Sequence, residues 1–292
     1  MIDYSFPLYR PPAEANSVII QVTYGCSYNN CTFCSMYKSK KFEIRKIEEI
    51  YADIDSLAAA YPNATRVFLA DGDALCFETH YLIALLKYLN QVFIKLRRVS
   101  TYATAQNLLE KSDEDLLLLK EHKLSLVYYG IETGNEILLK KINKGISSAQ
   151  LIIALNKASK AGIKISATVI LGIGGVEYTI EHINDTANII NKTKVNYLST
   201  LQLGLEDDVK ERFIKAFKNF KILNDPQVLD EQKRFLERLN PENKVIFRSN
   251  HASNTLYLAG TLPRDRQKLI QELQKALEIG KDAFVPERFR GF

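Results

Sequence analysis

Strand and helix patterns alternate regularly through the first 222 residues of this 292-residue chain. Segments rich in β-branched and aromatic residues predict six strands: Val18–Tyr24, Val67–Ala70, Arg98–Ala103, Leu124–Tyr129, Ile163–Leu171 and Asn196–Leu203. Apolar residues spaced three and four apart predict helices between them, at 47–58, 79–89, 108–121, 147–161 and 180–190. Because parallel strands need a crossover segment, the alternation predicts an α/β fold on a parallel sheet, either open and doubly wound or closed into a barrel.

The pattern changes after residue 222. A helix beginning at Asp225, a strand over Val245–Arg248 and a final helix over about Arg264–Glu278 are predicted there. No low-complexity linker separates this part from the rest of the sequence. We therefore predict a core over 1–222 and a C-terminal α/β extension over 223–292, packed on the same domain.

Composition narrows the classes of function. Lys and Arg number 39 against 34 Asp and Glu, and this excess is too small to indicate nucleic-acid binding without a local concentration of charge. No stretch approaches the roughly 18 apolar residues of a membrane span, and the first residues lack the pattern of a signal peptide. We therefore expect a cytoplasmic protein, in which clustered cysteines more often bind metal than form disulfides.

Three of the four cysteines lie within nine residues, in the segment Cys26-Ser-Tyr-Asn-Asn-Cys31-Thr-Phe-Cys34 directly after the first predicted strand. Three thiolates on one loop can bind three irons of a [4Fe–4S] cluster and leave the fourth iron open for a small molecule. A zinc site is the alternative, with Cys76 as the fourth ligand, and it would make the chain a non-catalytic interaction protein. Cys76 is otherwise expected to be a buried, inert thiol.

The cysteine loop resembles the signature of the radical S-adenosylmethionine (SAM) superfamily. That signature is usually Cys-x3-Cys-x2-Cys after the first barrel strand, with an aromatic residue before the last cysteine. Phe33 occupies the aromatic position, and one extra residue makes the loop here Cys-x4-Cys-x2-Cys. The resemblance implies a partial (β/α)6 TIM-like barrel and a [4Fe–4S] cluster held by Cys26, Cys31 and Cys34.

Three later motifs extend the resemblance, which is closest to the Elongator-like and methylthiotransferase-like branch. They are Asp71-Gly-Asp73, the run from Tyr128 to Asn135 with Gly145 beyond it, and Ile170-Leu-Gly-Ile-Gly174. By resemblance, the first receives the methionine amino group of SAM, the second contacts its ribose or methionyl end, and the third lies against adenine. The implied cofactor-binding residues are Phe33, Gly72, Asp73, Glu132, Ile170 and Gly172.

The activity that the resemblance implies is reductive cleavage of SAM to a 5′-deoxyadenosyl radical, which abstracts a hydrogen atom from an unidentified substrate. An electron donor such as flavodoxin or ferredoxin is implied as a partner. Five basic residues after the cysteine loop could be a docking patch for that donor or a solvated face: Lys38, Lys40, Lys41, Arg45 and Lys46. Oxygen-independent coproporphyrinogen oxidases carry a further cysteine where this chain has Met36, so we do not expect porphyrin oxidation.

Overall fold

The computed structural model describes residues 2–291 and contains an eight-stranded sheet in the order β1-β4-β5-β6-β7-β8-β9-β10. The strands in chain order are β1 (Val18–Gln21), β2 (Thr23–Tyr24), β3 (Glu43–Ile44), β4 (Arg66–Ala70), β5 (Arg98–Ala103), β6 (Leu124–Glu132), β7 (Lys164–Leu171), β8 (Tyr197–Gln202), β9 (Val245–Ser249) and β10 (Leu258–Leu262). Parallel pairing joins β1 to β4, β4 to β5, β5 to β6, β7 to β8 and β8 to β9, whereas β10 runs antiparallel to β9. The predicted α/β fold on a mostly parallel sheet is confirmed.

The helices are α1 (Ile47–Ala60), α2 (Thr79–Val92), α3 (Ala105–Glu110), α4 (Asp113–Glu121), α5 (Glu136–Lys141), α6 (Ser148–Lys160), α7 (Gly175–Asn191), α8 (Asp207–Lys215), α9 (Asp225–Arg238) and α10 (Arg266–Ile279). The helix predicted over 108–121 is wrong as a single element, because α3 ends at Glu110 and α4 begins at Asp113. Thr104 and Ser112 each form a capping box with the residue three positions on, so each starts its own helix. Within residues 2–291, no helix has the length and apolar character needed to cross a bilayer.

The described chain divides into two compact units. Unit 1 comprises residues 2–29, 34–129 and 157–165, and holds β1 to β5, most of β6 and helices α1 to α4. In β4, Val67 to Ala70 are all buried, as expected for a strand of a parallel sheet that is covered on both faces. Helix α1 buries Ile50, Ile54 and Leu57, which share one face at spacings of four and three.

Unit 2 comprises residues 30–33, 130–156 and 166–291, and holds the remaining strands and helices. Helix α9 packs against both α7 and α10. Three of its elements were not predicted from the sequence, namely α5, α8 and β10. The fourth predicted strand also ends too early, because β6 continues through Glu132 and therefore contains residues 128–132 of the motif that runs to Asn135.

Candidate cofactor site

The cysteine loop begins directly after β2, which ends at Tyr24. The four cysteines are partly exposed, and none of them forms a disulfide among the described residues. Cys26 and Cys34 belong to unit 1, and Cys31 belongs to unit 2. Within residues 2–291 the structure does not gather three or more His, Cys, Asp or Glu side chains into a group that could hold a metal ion.

Asp71, directly after β4, ties the start of the cysteine loop to the sheet. Its carboxylate accepts hydrogen bonds from the Gly25 amide (2.9 Å), the Gln21 side chain (2.8 Å) and the Lys40 ammonium (2.8 Å). The Asp71 side chain is fully buried and that of Lys40 is 6% exposed, so this is a buried ion pair. Asp71 is therefore a positioning residue for the loop, a role that the sequence did not distinguish from a simple turn.

Asp73 lies two residues further along and has a different environment. Its Oδ2 accepts a hydrogen bond from the Ser27 hydroxyl, but its Oδ1 is buried and has no hydrogen-bond partner among the described residues. Burial raises the pKa of Asp73 above its ordinary value, and hydrogen bonds from the Ser27 and Asn107 side chains oppose that shift. An unpaired buried carboxylate oxygen favours a ligand that brings its own donor or positive charge.

Gly72 lies between these two acids and has close neighbours. A Cβ atom at this position would stand 2.8 Å from the Tyr37 ring and 3.2 Å from Cβ of Cys26. The Gly72 amide also donates to the Gly25 carbonyl at 3.0 Å. Glycine here lets the turn after β4 lie directly against the cysteine loop.

In unit 2, Glu132 ends β6 with its side chain folded back on its own strand. A Cβ atom on Gly130 would lie 1.8 Å from Glu132 Oε1, so this conformation depends on glycine at 130. Lys144 donates to the same oxygen at 2.9 Å and lies 6.0 Å from the centre of the Phe33 ring. Glu132 has φ +60°, an uncommon backbone angle for a residue other than glycine, and such angles cluster at functional sites.

Phe33 and Ile170 pack against one apolar cluster of unit 2, whose buried members are Leu138, Ile142, Ile173, Leu203, Phe213 and Phe217. Helix α8 supplies Phe213, so an element that the sequence did not predict supports two of the predicted cofactor residues. Gly172 follows β7 with φ +80°, and its amide donates to the buried carboxylate of Glu231 at 2.6 Å. Glu231 lies on α9 and was not among the predicted site residues.

The five basic residues after the cysteine loop do not form one solvated patch. Lys40 pairs with Asp71, and Arg45 donates to Asp53 at 2.7 Å while its side chain is 8% exposed. Lys38 donates to the Asn29 carbonyl within the loop itself. Lys41 and Lys46 are the two that stand exposed, so the predicted docking patch is smaller than its sequence suggests.

Cys76 is partly exposed rather than buried as predicted. Burial, and secondarily the nearby Asp73 carboxylate, raise its pKa to about 12, which keeps it protonated at neutral pH. The segment from Arg248 to Asn254 is held by structural hydrogen bonds at its end. Asn254 is buried, accepts from the Gln202 amide at 2.8 Å and donates to the Thr200 carbonyl at 2.8 Å.

The chain is similar in sequence to several known proteins. The "Putative methylthiotransferase" of Methanocaldococcus jannaschii is 26% identical over 229 residues, which cover 73% of this chain and 45% of that protein. The heme chaperone of Bacillus subtilis is 23% identical over 146 residues, covering 50% of this chain and 38% of the other. The chain thus spans less than half the length of these curated relatives.

Solved structures share the fold. Coproporphyrinogen III oxidase from Escherichia coli, described as a radical SAM enzyme, superposes with a TM-score of 0.57 at 14% identity, over 76% of this chain and 51% of that one. Methylornithine synthase superposes with a TM-score of 0.53 at 15% identity, over 76% of this chain and 62% of the other. The fold is accordingly the predicted partial TIM-like barrel.

A family model described as the Radical SAM superfamily matches residues 20–190. Nothing in these similarities supports the zinc-binding interaction protein that the cysteines alone left open. Since the match covers more than half of the residues, the chain belongs to the Radical SAM superfamily, whose enzymes bind a [4Fe–4S] cluster and S-adenosylmethionine.

Proposed function

We propose that this chain is a SAM-cleaving radical enzyme that holds its cluster with Cys26, Cys31 and Cys34. When bound, the cluster and SAM supply one-electron cleavage of a sulfonium carbon–sulfur bond to a 5′-deoxyadenosyl radical, which takes hydrogen from a substrate. The observation that carries the proposal is three partly exposed cysteines within nine residues of the loop that follows β2, in a chain of this family. We assign this chemistry to the core over 1–222, with the extension over 223–292 supporting it.

The residues of the site fit these groups. Thiols are the usual protein ligands of iron–sulfur clusters, and three of them leave one iron for SAM. The buried Oδ1 of Asp73 has no hydrogen-bond partner among the described residues, and a methionine ammonium group would satisfy it. Gly72 removes the side chain that would otherwise collide with Tyr37 and Cys26 beside that carboxylate.

The remaining cofactor contacts are assigned to unit 2. Glu132, oriented by Lys144 and by the absence of a side chain at Gly130, would accept hydrogen bonds from the ribose or the methionyl end of SAM. Ile170 and Gly172 would form the wall against adenine, and Phe33 would shield the loop from the side of the apolar cluster. An apolar surround of this kind keeps water away from a reactive radical.

The reaction needs a reductant, and we propose an acidic carrier such as flavodoxin or ferredoxin. The exposed cations Lys41 and Lys46 follow the cysteine loop and would attract such a partner at low salt. Replacing both by serine should slow reduction of the cluster by a flavodoxin more at low than at high ionic strength. An unchanged salt dependence would contradict this docking site.

The test of the proposed function begins with anaerobic purification and measurement of iron and acid-labile sulfide. Protein with an intact, reduced cluster should convert SAM to 5′-deoxyadenosine, detected by liquid chromatography and mass spectrometry. Cys26→Ala should lose cluster and product together. Cys76→Ala is the matched control and should keep both, because this thiol is protonated and outside the ligand set. Intact cluster with bound SAM but no cleavage would refute the proposal.

A further inference from the structure

Glu231 is a buried carboxylate on α9 that binds two segments around the end of β7. It is 1% exposed. Its Oε1 accepts the Gly172 amide hydrogen at 2.6 Å, and its Oε2 accepts the Thr179 hydroxyl hydrogen. Gly172 follows β7 and Thr179 lies in α7, so one side chain connects the strand end to the helix that follows it.

The segment between these two contacts is held in a specific conformation. Gly172 and Gly175 both have positive φ angles, +80° and +56°, and the Gly175 amide donates to the Gly172 carbonyl at 2.9 Å. The backbone carbonyl of Lys221 lies close against Gly175, since a Cβ atom on Gly175 would stand 2.7 Å from its oxygen. Without the carboxylate, the Gly172 amide would be a buried donor with no partner, which is costly.

Packing of α9 does not by itself require a carboxylate at 231. The next residue, Gln232, is equally buried and donates to the Thr200 hydroxyl at 3.1 Å. Val228 and Phe235 on the same helix are buried apolar residues. Placing a carboxylate among them carries a desolvation cost, so its value lies in the specific bond that it makes to Gly172.

We propose that Glu231 is a positioning residue for the adenosine end of SAM, acting through the Gly172 backbone. The extension after residue 222 then completes the cofactor site. This inference rests on the proposed function, because it takes Ile170 and Gly172 as the adenine contacts. It assigns Glu231 no contact with SAM itself.

The experiment compares matched variants of the full chain carrying reconstituted cluster. Glu231→Met and Gln232→Met each remove one buried polar group and keep an unbranched side chain of similar size. Glu231→Gln keeps a carbonyl oxygen for the Gly172 amide. Anaerobic equilibrium dialysis gives the Kd of SAM and of 5′-methylthioadenosine, a probe with the adenosine part but no amino acid, and iron analysis gives the cluster content.

Glu231→Met is expected to weaken SAM and 5′-methylthioadenosine by a similar factor, about tenfold, which is the effect of one buried hydrogen bond. Cluster content should not change. Glu231→Gln should restore binding to within about threefold of wild type, and Gln232→Met should leave it unchanged. Equal weakening by both Met variants, or wild-type affinity in Glu231→Met, overturns the inference.

A second variant covers the case in which Glu231→Met does not fold. Thr179→Val removes the donor that orients the other carboxylate oxygen with little change in size, and about threefold weaker binding of both probes is expected. Unchanged affinity in that variant also overturns the inference. Failure of the proposed function is recognised separately on wild-type protein, which would then carry an intact cluster but either not bind SAM or bind it without cleaving it.

Discussion

Replacing Glu231 by glutamine should remove a pH dependence of folding stability between pH 5 and pH 8. Burial raises the pKa of this carboxyl from 4.5 to about 7, and the hydrogen bonds from Thr179 and Gly172 offset only part of that effect. A carboxyl whose folded pKa exceeds its unfolded pKa holds its proton more tightly in the folded state. Its contribution to stability is therefore complete below about pH 4.5 and declines as the pH rises through 7.

The size of the effect follows from the two pKa values. A difference of about 2.5 units corresponds to about 3 kcal/mol in total, of which about 2.5 kcal/mol falls between pH 5 and pH 8. The unfolding free energy of the cluster-free full chain is measured by urea denaturation, followed by circular dichroism at each pH. Between pH 5 and pH 8, that of wild type should fall by this amount relative to that of Glu231→Gln. Asp230→Asn removes a partly exposed carboxylate on the same helix, and its unfolding free energy should change with pH in the same way as that of wild type. The same change of unfolding free energy with pH in wild type and in Glu231→Gln would refute the reasoning.

Asp71→Asn should lower the free energy of unfolding by about 3 kcal/mol, because it leaves the buried Lys40 ammonium without its counterion; an unchanged urea midpoint would contradict this. Gly130→Ala should raise the Kd of SAM about tenfold in dialysis with little loss of stability, since the new methyl group displaces only the movable carboxylate of Glu132. Gly291→Ala, with nothing within 4 Å of its Cβ, is the matched control, and equal affinities would count against the assigned site. Arg290→Met should cost about 1 kcal/mol at pH 7 by removing the bidentate pair with Asp225. Arg290 holds the pKa of Asp225 below its usual range. The difference in unfolding free energy between wild type and Arg290→Met should therefore disappear as the pH falls through that pKa. A difference that persists in acid would refute the pairing.

The sheet was predictable because its strands carry strong local signals. Strand β5 was predicted at its observed bounds, and β4 needed one more residue, since both are runs of β-branched and aromatic residues. Helix α8 was not predicted because it buries only two residues, Val209 and Phe213, within a largely charged segment. Strand β10 was not predicted because Gly260 and other small residues weaken its strand pattern. It is stabilised by antiparallel pairing with β9.

The contacts made by the predicted site residues could not be derived from the sequence. In the sequence, Asp71 and Asp73 are equivalent acids in one turn, yet Asp71 accepts three hydrogen bonds and Asp73 keeps one buried oxygen unpaired. That difference depends on Lys40, which lies 31 positions earlier than Asp71, and such a contact cannot be inferred from the spacing of residues in the sequence. Glu231 was missed for the same reason, since a glutamate in an amphipathic helix is normally solvated and this one is buried by tertiary packing.

One arrangement occurs in both units, at the ends of β4 and β6. An acid at the end of a strand is paired with a lysine from elsewhere in the chain, Asp71 with Lys40 in unit 1 and Glu132 with Lys144 in unit 2. Each acid also has a glycine neighbour that admits a close approach, of the cysteine loop at Gly72 and of the carboxylate itself at Gly130. Buried ion pairs add little net stability, because desolvation offsets their attraction, but they fix the position of a charge. The pairs are therefore better explained as contacts that orient the cysteine loop and the Glu132 carboxylate than as contributors to the free energy of folding.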